Sequence, residues 1–130
     1  MSSIFTKIIQ REIPAYIVAE DDYHIAFLDI NPLTLGHTLV IPKIEIDYIF
    51  NLNNNELTNL HLFAKKVASA IEKAVPCNRI GVSVIGLEVP HAHIHLIPIN
   101  SMDDMNFSRP KLTPTKHEME ELANTIKHSF

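Results

Sequence analysis

The run His91-Ala-His-Ile-His-Leu-Ile-Pro-Ile99 constrains this chain more than any other stretch. Histidine alternates with apolar residues, and a period of two belongs to a half-buried β-strand. On such a strand His91, His93 and His95 share one face, while Ala92, Ile94 and Leu96 turn into a core. Same-face neighbours sit roughly 7 Å apart, so the imidazoles would form a row about 13 Å long. Histidine is neither a strong strand former nor cheap to bury, so three at strict alternation point to chemistry rather than packing. Isolated histidines such as His24 and His61 carry no such signal.

A chain of 130 residues, 46% hydrophobic and 20% charged, is long and apolar enough for one globular domain. Its formal net charge of −4 argues against a broad nucleic-acid binder but leaves room for a small nucleotide. The single cysteine, Cys77, excludes an internal disulfide and a cysteine-rich metal site. Polar residues break the apolar N-terminus, and no run reaches the length of a membrane span, so a cytoplasmic protein without membrane contact is expected. With only Gly36, Gly81 and Gly86, the chain has no glycine-rich phosphate loop.

Ser3 is placed to cap a short helix carrying Ile4, Phe5, Ile8 and Ile9, ended by Ile13-Pro14. Tyr16–Glu20 and His24–Ile30 read as strands joined by Asp21-Asp22, and His37–Ile41 as a third strand after the Gly36 turn. Asp47–Phe50 reads as a short helix or turn. Asn53 with Glu56 makes a capping box for the main helix, whose apolar residues run from Leu57 to Val75 before Pro76. Phe63, Ala70 and Ala74 widen its stripe, for core packing or for a subunit interface. Arg79–Gly86 and His91–Ile99 read as a fourth and a fifth strand. Thr115 with Glu118 opens a last amphipathic helix through Met119, Leu122, Ala123 and Ile126. Five antiparallel-leaning strands with segregated helices indicate α+β.

Two chemistries use three histidines on a strand. His-x-His can direct two ring nitrogens at a zinc ion, although catalytic zinc needs a third ligand. Alternatively, a neutral imidazole can attack phosphorus and pass through a phosphoramidate, while its neighbours donate to phosphate oxygens. The second explains all three residues. With a free pKa of about 6.5, histidine supplies the neutral ring at physiological pH.

The motif resembles the signature of the histidine triad (HIT) family, at His91-Ala-His93-Ile-His95-Leu-Ile97. Ile4-Phe-x-Lys-Ile-Ile9, Glu12-Ile-Pro14, Ala26–Pro32 and Gly36–Lys43 resemble the family's upstream segments in order, over roughly residues 3–99. The resemblance implies a five-stranded antiparallel sheet with one main helix, continued across a homodimer. Residues 1–100 would form the domain, with 101–130 a loop and helix packed on it or on its partner. It also implies transfer or hydrolysis at the α-phosphate of a purine nucleotide, without a cofactor. By resemblance His93 would be the nucleophile, and His91, His95 and His37 would support it. Asp29 would bind the ribose, and Phe5, Ile8, Phe27, Leu28 and Ile30 would enclose the base. His95 stands where the uridylyltransferase branch has glutamine, so the hydrolase branches fit better. The short chain resembles the Hint-type nucleoside phosphoramidate hydrolases more than the Fhit-type dinucleoside polyphosphate hydrolases.

Three departures matter. Where many bacterial members bind a structural zinc through Cys-x-x-Cys and a histidine, this chain has Ser3, Thr6 and Glu45, and no metal is expected. The family's Gly-Gln-Ser/Thr-Val becomes Gly86-Leu87-Glu88-Val89, in which Leu87 cannot donate to a phosphate and Glu88 would repel one. The usual asparagine of the fourth strand is missing, with Ser83 the nearest polar residue. A binding or interaction module of the same fold with little turnover is therefore the alternative to an enzyme.

Overall fold

The computed structural model describes residues 2–130. Side chains near in sequence start all three α-helices. Thr6 N–H donates to Ser3 at the head of α1 (Ile4–Ile9), Asn53 and Glu56 close a capping box on α2 (Asn54–Ala74), and Thr115 and Glu118 another on α3 (Lys116–Lys127). Such a cap contributes about 1 kcal/mol by satisfying N–H groups that lack a helical partner. α1 stops earlier than Ile13-Pro14, because Arg11 adopts the left-handed region at φ 63°. At the end of α2, Val75 turns extended before Pro76, which disfavours helical dihedrals in the residue ahead of it.

The strands are β1 (Ile17–Glu20), β2 (His24–Leu28), β3 (Thr38–Pro42), β4 (Arg79–Ser83) and β5 (Ile94–Ile99). They form one antiparallel sheet in the order β1-β2-β3-β5-β4, so the architecture is the α+β one expected. The register sets Phe27 opposite Leu39 and Leu39 opposite His95, which places all three on one face. On the other face Ala26, Leu28, Val40, Ile94 and Leu96 pack against α2 and α3. Phe63 and Ala70 of α2 belong to this core, so the widened stripe is filled by the chain's own residues. Phe63 also stacks on the His24 ring at 5.1 Å. Met119, Ala123 and Ile126 of α3 are buried in the same core, against α2, β1 and β2. Phe5 and Ile8 of α1 close the first face over Ile25, Phe27, Leu39 and Ile41.

Two of the strand ends that differ from expectation shape the site. β2 stops at Leu28 rather than Ile30, because the Asp29 carboxylate turns back to accept the Asn31 N–H at 2.9 Å. β5 begins at Ile94 rather than His91. The Ala92 N–H donates to Ile46 O at 2.7 Å and the His91 N–H to Val89 O at 2.8 Å, so His91 and His93 precede the ladder. The flat row of imidazoles does not form. His93 and His95 instead have ring centres 4.9 Å apart. β4 is also shorter than expected, ending at Ser83, and Gly86 takes φ 78° in the loop that follows. Among the described residues, no helix is long and apolar enough to cross a membrane.

Candidate active site

The histidines sit on the α1 side of the sheet, and their hydrogen bonds fix which nitrogen of each carries the proton. His93 Nδ1 lies 2.7 Å from the His91 carbonyl oxygen. A carbonyl can only accept, so Nδ1 holds the hydrogen and Nε2 keeps a free lone pair. Among the described residues Nε2 has no hydrogen-bond partner. Phe5 meets the ring edge-on at 5.1 Å.

A second pair lies beside it. The Leu33 N–H donates to His37 Nδ1 at 3.1 Å, which leaves the His37 proton on Nε2. That nitrogen is 2.9 Å from His95 Nδ1 and donates to it, which puts the His95 proton on Nε2. Burial pushes His37 down to about 3, with the positive charge His95 could carry as the next cause. Burial first, and then His93, brings His95 down to about 4. Both rings are therefore neutral near pH 7. The 3.7 Å approach of Asp29 to His37 Nε2 is accordingly a dipolar contact and not an ion pair.

His91 is fully buried and held at both nitrogens, by Ser3 Oγ at 2.9 Å from Nδ1 and by Pro42 O at 2.8 Å from Nε2. Burial lowers its pKa as well. Asp29 sits at the end of β2 with its carboxyl pKa raised by burial, against the downward pull of the Asn31 N–H. The structure thus gathers His37, His91, His93, His95, Asp29 and Phe5 around one face of the sheet.

The comparisons with known proteins agree with this fold. The HIT domain model matches residues 10–102. The chain belongs to the HIT family. A HIT-like protein of Borreliella burgdorferi is 38% identical over 131 residues, covering 95% of this chain and 94% of the relative. An adenosine 5′-monophosphoramidase of Saccharomyces cerevisiae is 38% identical over 96 residues, 73% of this chain and 61% of that one. Among solved structures, a HIT-like protein of Bartonella henselae superposes with a TM-score of 0.85 at 34% identity, covering 99% of this chain and 97% of the other.

Within this HIT fold, the five apolar residues expected to enclose a base are not equivalent. Phe5, Ile8 and Phe27 pack together on the histidine side. Ile30 follows β2 and is 62% exposed. Leu28 is a correction: it faces the α2 side and is buried in the opposite core. Neighbours on a strand point to opposite faces, so Phe27 and Leu28 cannot both line one site.

Sequence reasoning missed the contribution of the C-terminal segment. Phe107 packs edge-on against His95 at 5.0 Å and against His37 at 6.2 Å. Arg109 fastens this loop by donating to Leu33 O at 2.7 Å, and Leu112 N–H donates to Pro32 O at 2.9 Å. Lys111 stands 6.0 Å from the Phe107 ring, and its charge opposes the rise that burial gives Asp29 and adds to the fall that burial gives His37. No local pattern marks these residues, because the contacts that fix the loop are distant in the chain, the Arg109–Leu33 bond spanning 76 positions.

Ser3, Thr6 and Glu45 converge with His91, but they bond to one another. Thr6 and the Ser3 N–H both donate to Glu45 Oε1 at 2.6 Å, and those hydrogen bonds hold the carboxyl down to about 2. Two neutral hydroxyls with one carboxylate and one imidazole are a poor fit to zinc, which favours thiolate and imidazole. Asp29, His37 and His95 have ligand atoms within 4.8 Å of one another, a spacing open to a cation. Occupying it would break the His37–His95 hydrogen bond. A cleft of about 570 Å³ opens at His93 between Tyr48, Phe50, Val84 and Leu87. Another of about 640 Å³, by His24, Lys43 and Phe63, lies away from the triad.

Proposed function

We propose that this protein is a nucleotide hydrolase or transferase that acts at the α-phosphate of nucleoside phosphoramidates or related adenosine nucleotides. The observation that carries it is the tautomer of His93. With Nδ1–H held by the His91 carbonyl, Nε2 is the unprotonated nucleophile. Attack forms the Nε2–phosphorus bond and breaks the phosphorus–nitrogen bond of the substrate, and the amine leaves with a proton from solvent that the later hydrolysis step returns. The ring becomes cationic as that bond forms, and the His91 carbonyl dipole stabilises the charge. His95, with its proton on Nε2, donates to a phosphoryl oxygen, and His37 keeps it in that tautomer. Water then cleaves the phosphorus–nitrogen bond, releases the nucleoside monophosphate and restores His93. Asp29 accepts from the ribose hydroxyls, with Phe5, Ile8, Phe27 and Ile30 on the base side. The yeast relative named as a monophosphoramidase supports this substrate class.

The assembly we propose is a homodimer. β4 is an edge strand, and Val82 (58%), Phe50 (70%) and Leu87 (89%) are exposed beside it, an apolar surface suited to a second copy.

Incubation with a labelled adenosine phosphoramidate, acid quench and mass spectrometry should place an adenylyl group on His93. Label surviving in His93→Ala would sink the assignment. Glu88 favours a second reading, a nucleotide-binding module with little turnover, because its charge raises the pKa of Asp29 and opposes an incoming phosphate. Calorimetry with AMP beside a turnover assay separates the two: tight binding without hydrolysis selects the module.

A further inference from the structure

Ser3 and Glu45 have no place in the chemistry above, yet hydrogen bonds link them to the His91 ring, and the His91 carbonyl in turn bonds to His93. His91 Nε2 must carry its hydrogen, since it faces the Pro42 carbonyl at 2.8 Å. Its Nδ1 is then bare, and the Ser3 hydroxyl 2.9 Å away is the donor to it. The same Ser3 oxygen accepts the Thr6 N–H at 3.1 Å. Glu45, 42 residues along the chain from Ser3, takes the Ser3 N–H and the Thr6 hydroxyl on one oxygen. The His91 ring is thereby fixed from both sides in a fully buried place. Its main chain lies outside the β5 ladder, and its carbonyl is held by the ring together with the Ala92 N–H of the same peptide unit, which donates to Ile46 O at 2.7 Å. That carbonyl receives the His93 Nδ1–H.

We propose that Ser3 and Glu45 are positioning residues that set the tautomer and orientation of His93 through the ring and carbonyl of His91. The role rests on His93 being the reactive group. The role asks neither residue to touch substrate. Ser3 therefore has two tasks, capping α1 and donating to His91, and Glu45 holds the serine and the threonine in the geometry both tasks need. This makes the seating of an N-terminal helix a condition for a competent nucleophile.

The test combines imidazole ¹⁵N NMR with steady-state kinetics on adenosine 5′-phosphoramidate, using the full chain. Wild type should show a single Nδ1–H tautomer at His93. Ser3→Ala should give a mixture of tautomers and a kcat about tenfold lower, with KM nearly unchanged, as expected for loss of one buried hydrogen bond. Ser3→Thr, which keeps the hydroxyl, should restore both. Glu45→Ala, at an exposed side chain, should shift the tautomer population in the same direction. A folded Ser3→Ala protein with wild-type kcat and a single His93 tautomer overturns the proposal. If that variant does not fold, an unshifted tautomer in Glu45→Ala overturns it. A wild type that fails to turn over phosphoramidates removes the proposed function, and the tautomer comparison still decides the positioning role.

Discussion

His37 Nε2 lies 2.9 Å from His95 Nδ1, and the Leu33 amide occupies the remaining nitrogen of His37. Neither ring can accept a proton without losing a hydrogen bond in a buried place. Their lowered pKa values, about 3 and about 4, follow from that burial.

Stability should therefore fall in mild acid. A histidine with a folded pKa below its unfolded value of about 6.5 binds protons preferentially in the unfolded chain. Its contribution is complete above pH 6.5 and is lost progressively as pH drops towards the folded pKa. Each ring should add a slope approaching about 1.4 kcal/mol per pH unit between pH 6 and pH 4. Urea unfolding at pH 7, 6 and 5 measures it, and His95→Gln should flatten the dependence. An equal slope in that variant would refute the assignment.

Asp29→Asn should weaken nucleotide binding more than chemistry. Asn still caps Asn31 through its carbonyl oxygen but loses the charged acceptor for ribose hydroxyls, so KM should rise about tenfold with kcat within about threefold. The wild-type carboxyl has a raised pKa, so nucleotide affinity should decline as pH falls through it. Calorimetric titration with AMP at several pH values checks both. A KM unchanged by the substitution would remove Asp29 from the site.

Removal of residues 101–130 should prevent folding rather than merely alter specificity. Met119, Ala123 and Ile126 are 3%, 4% and 0% exposed, and burying a side chain as large as the methionine or isoleucine contributes about 1.5–3 kcal/mol. Losing them approaches the whole stability of a small domain, about 5–15 kcal/mol. Circular dichroism and thermal melting of the truncated chain provide the measurement. Phe107→Ala is the milder probe and should raise KM several-fold while the protein stays folded, because the ring walls the His37–His95 pair without entering the main core.

Glu88→Ser should raise kcat/KM about threefold for substrates with anionic leaving groups, and less for amines. The substitution removes a negative charge that acts on Asp29 and puts a hydroxyl donor in its place. Kinetics at low and high salt would show the wild-type penalty shrinking with screening. A rate insensitive to both changes would place Glu88 away from the phosphate.

What the sequence determined by itself was whatever depends on near neighbours. The Ser3, Asn53–Glu56 and Thr115–Glu118 caps involve residues three positions apart, and all three start the helices they were read to start. Alternation and turn residues gave five strands and the α+β class, because side-chain period follows directly from backbone geometry. Only the tertiary structure decided the rest. The Ser3–His91 bond spans 88 positions and the His37–His95 bond spans 58. Phe107 reaches the histidines from a segment whose local pattern says only loop. The start of β5 at Ile94 likewise depends on where Ile46 offers its carbonyl to Ala92. The sequence could present three histidines at the right spacing. Which nitrogen of each holds its proton follows from carbonyls and amides that the folded chain brings from elsewhere.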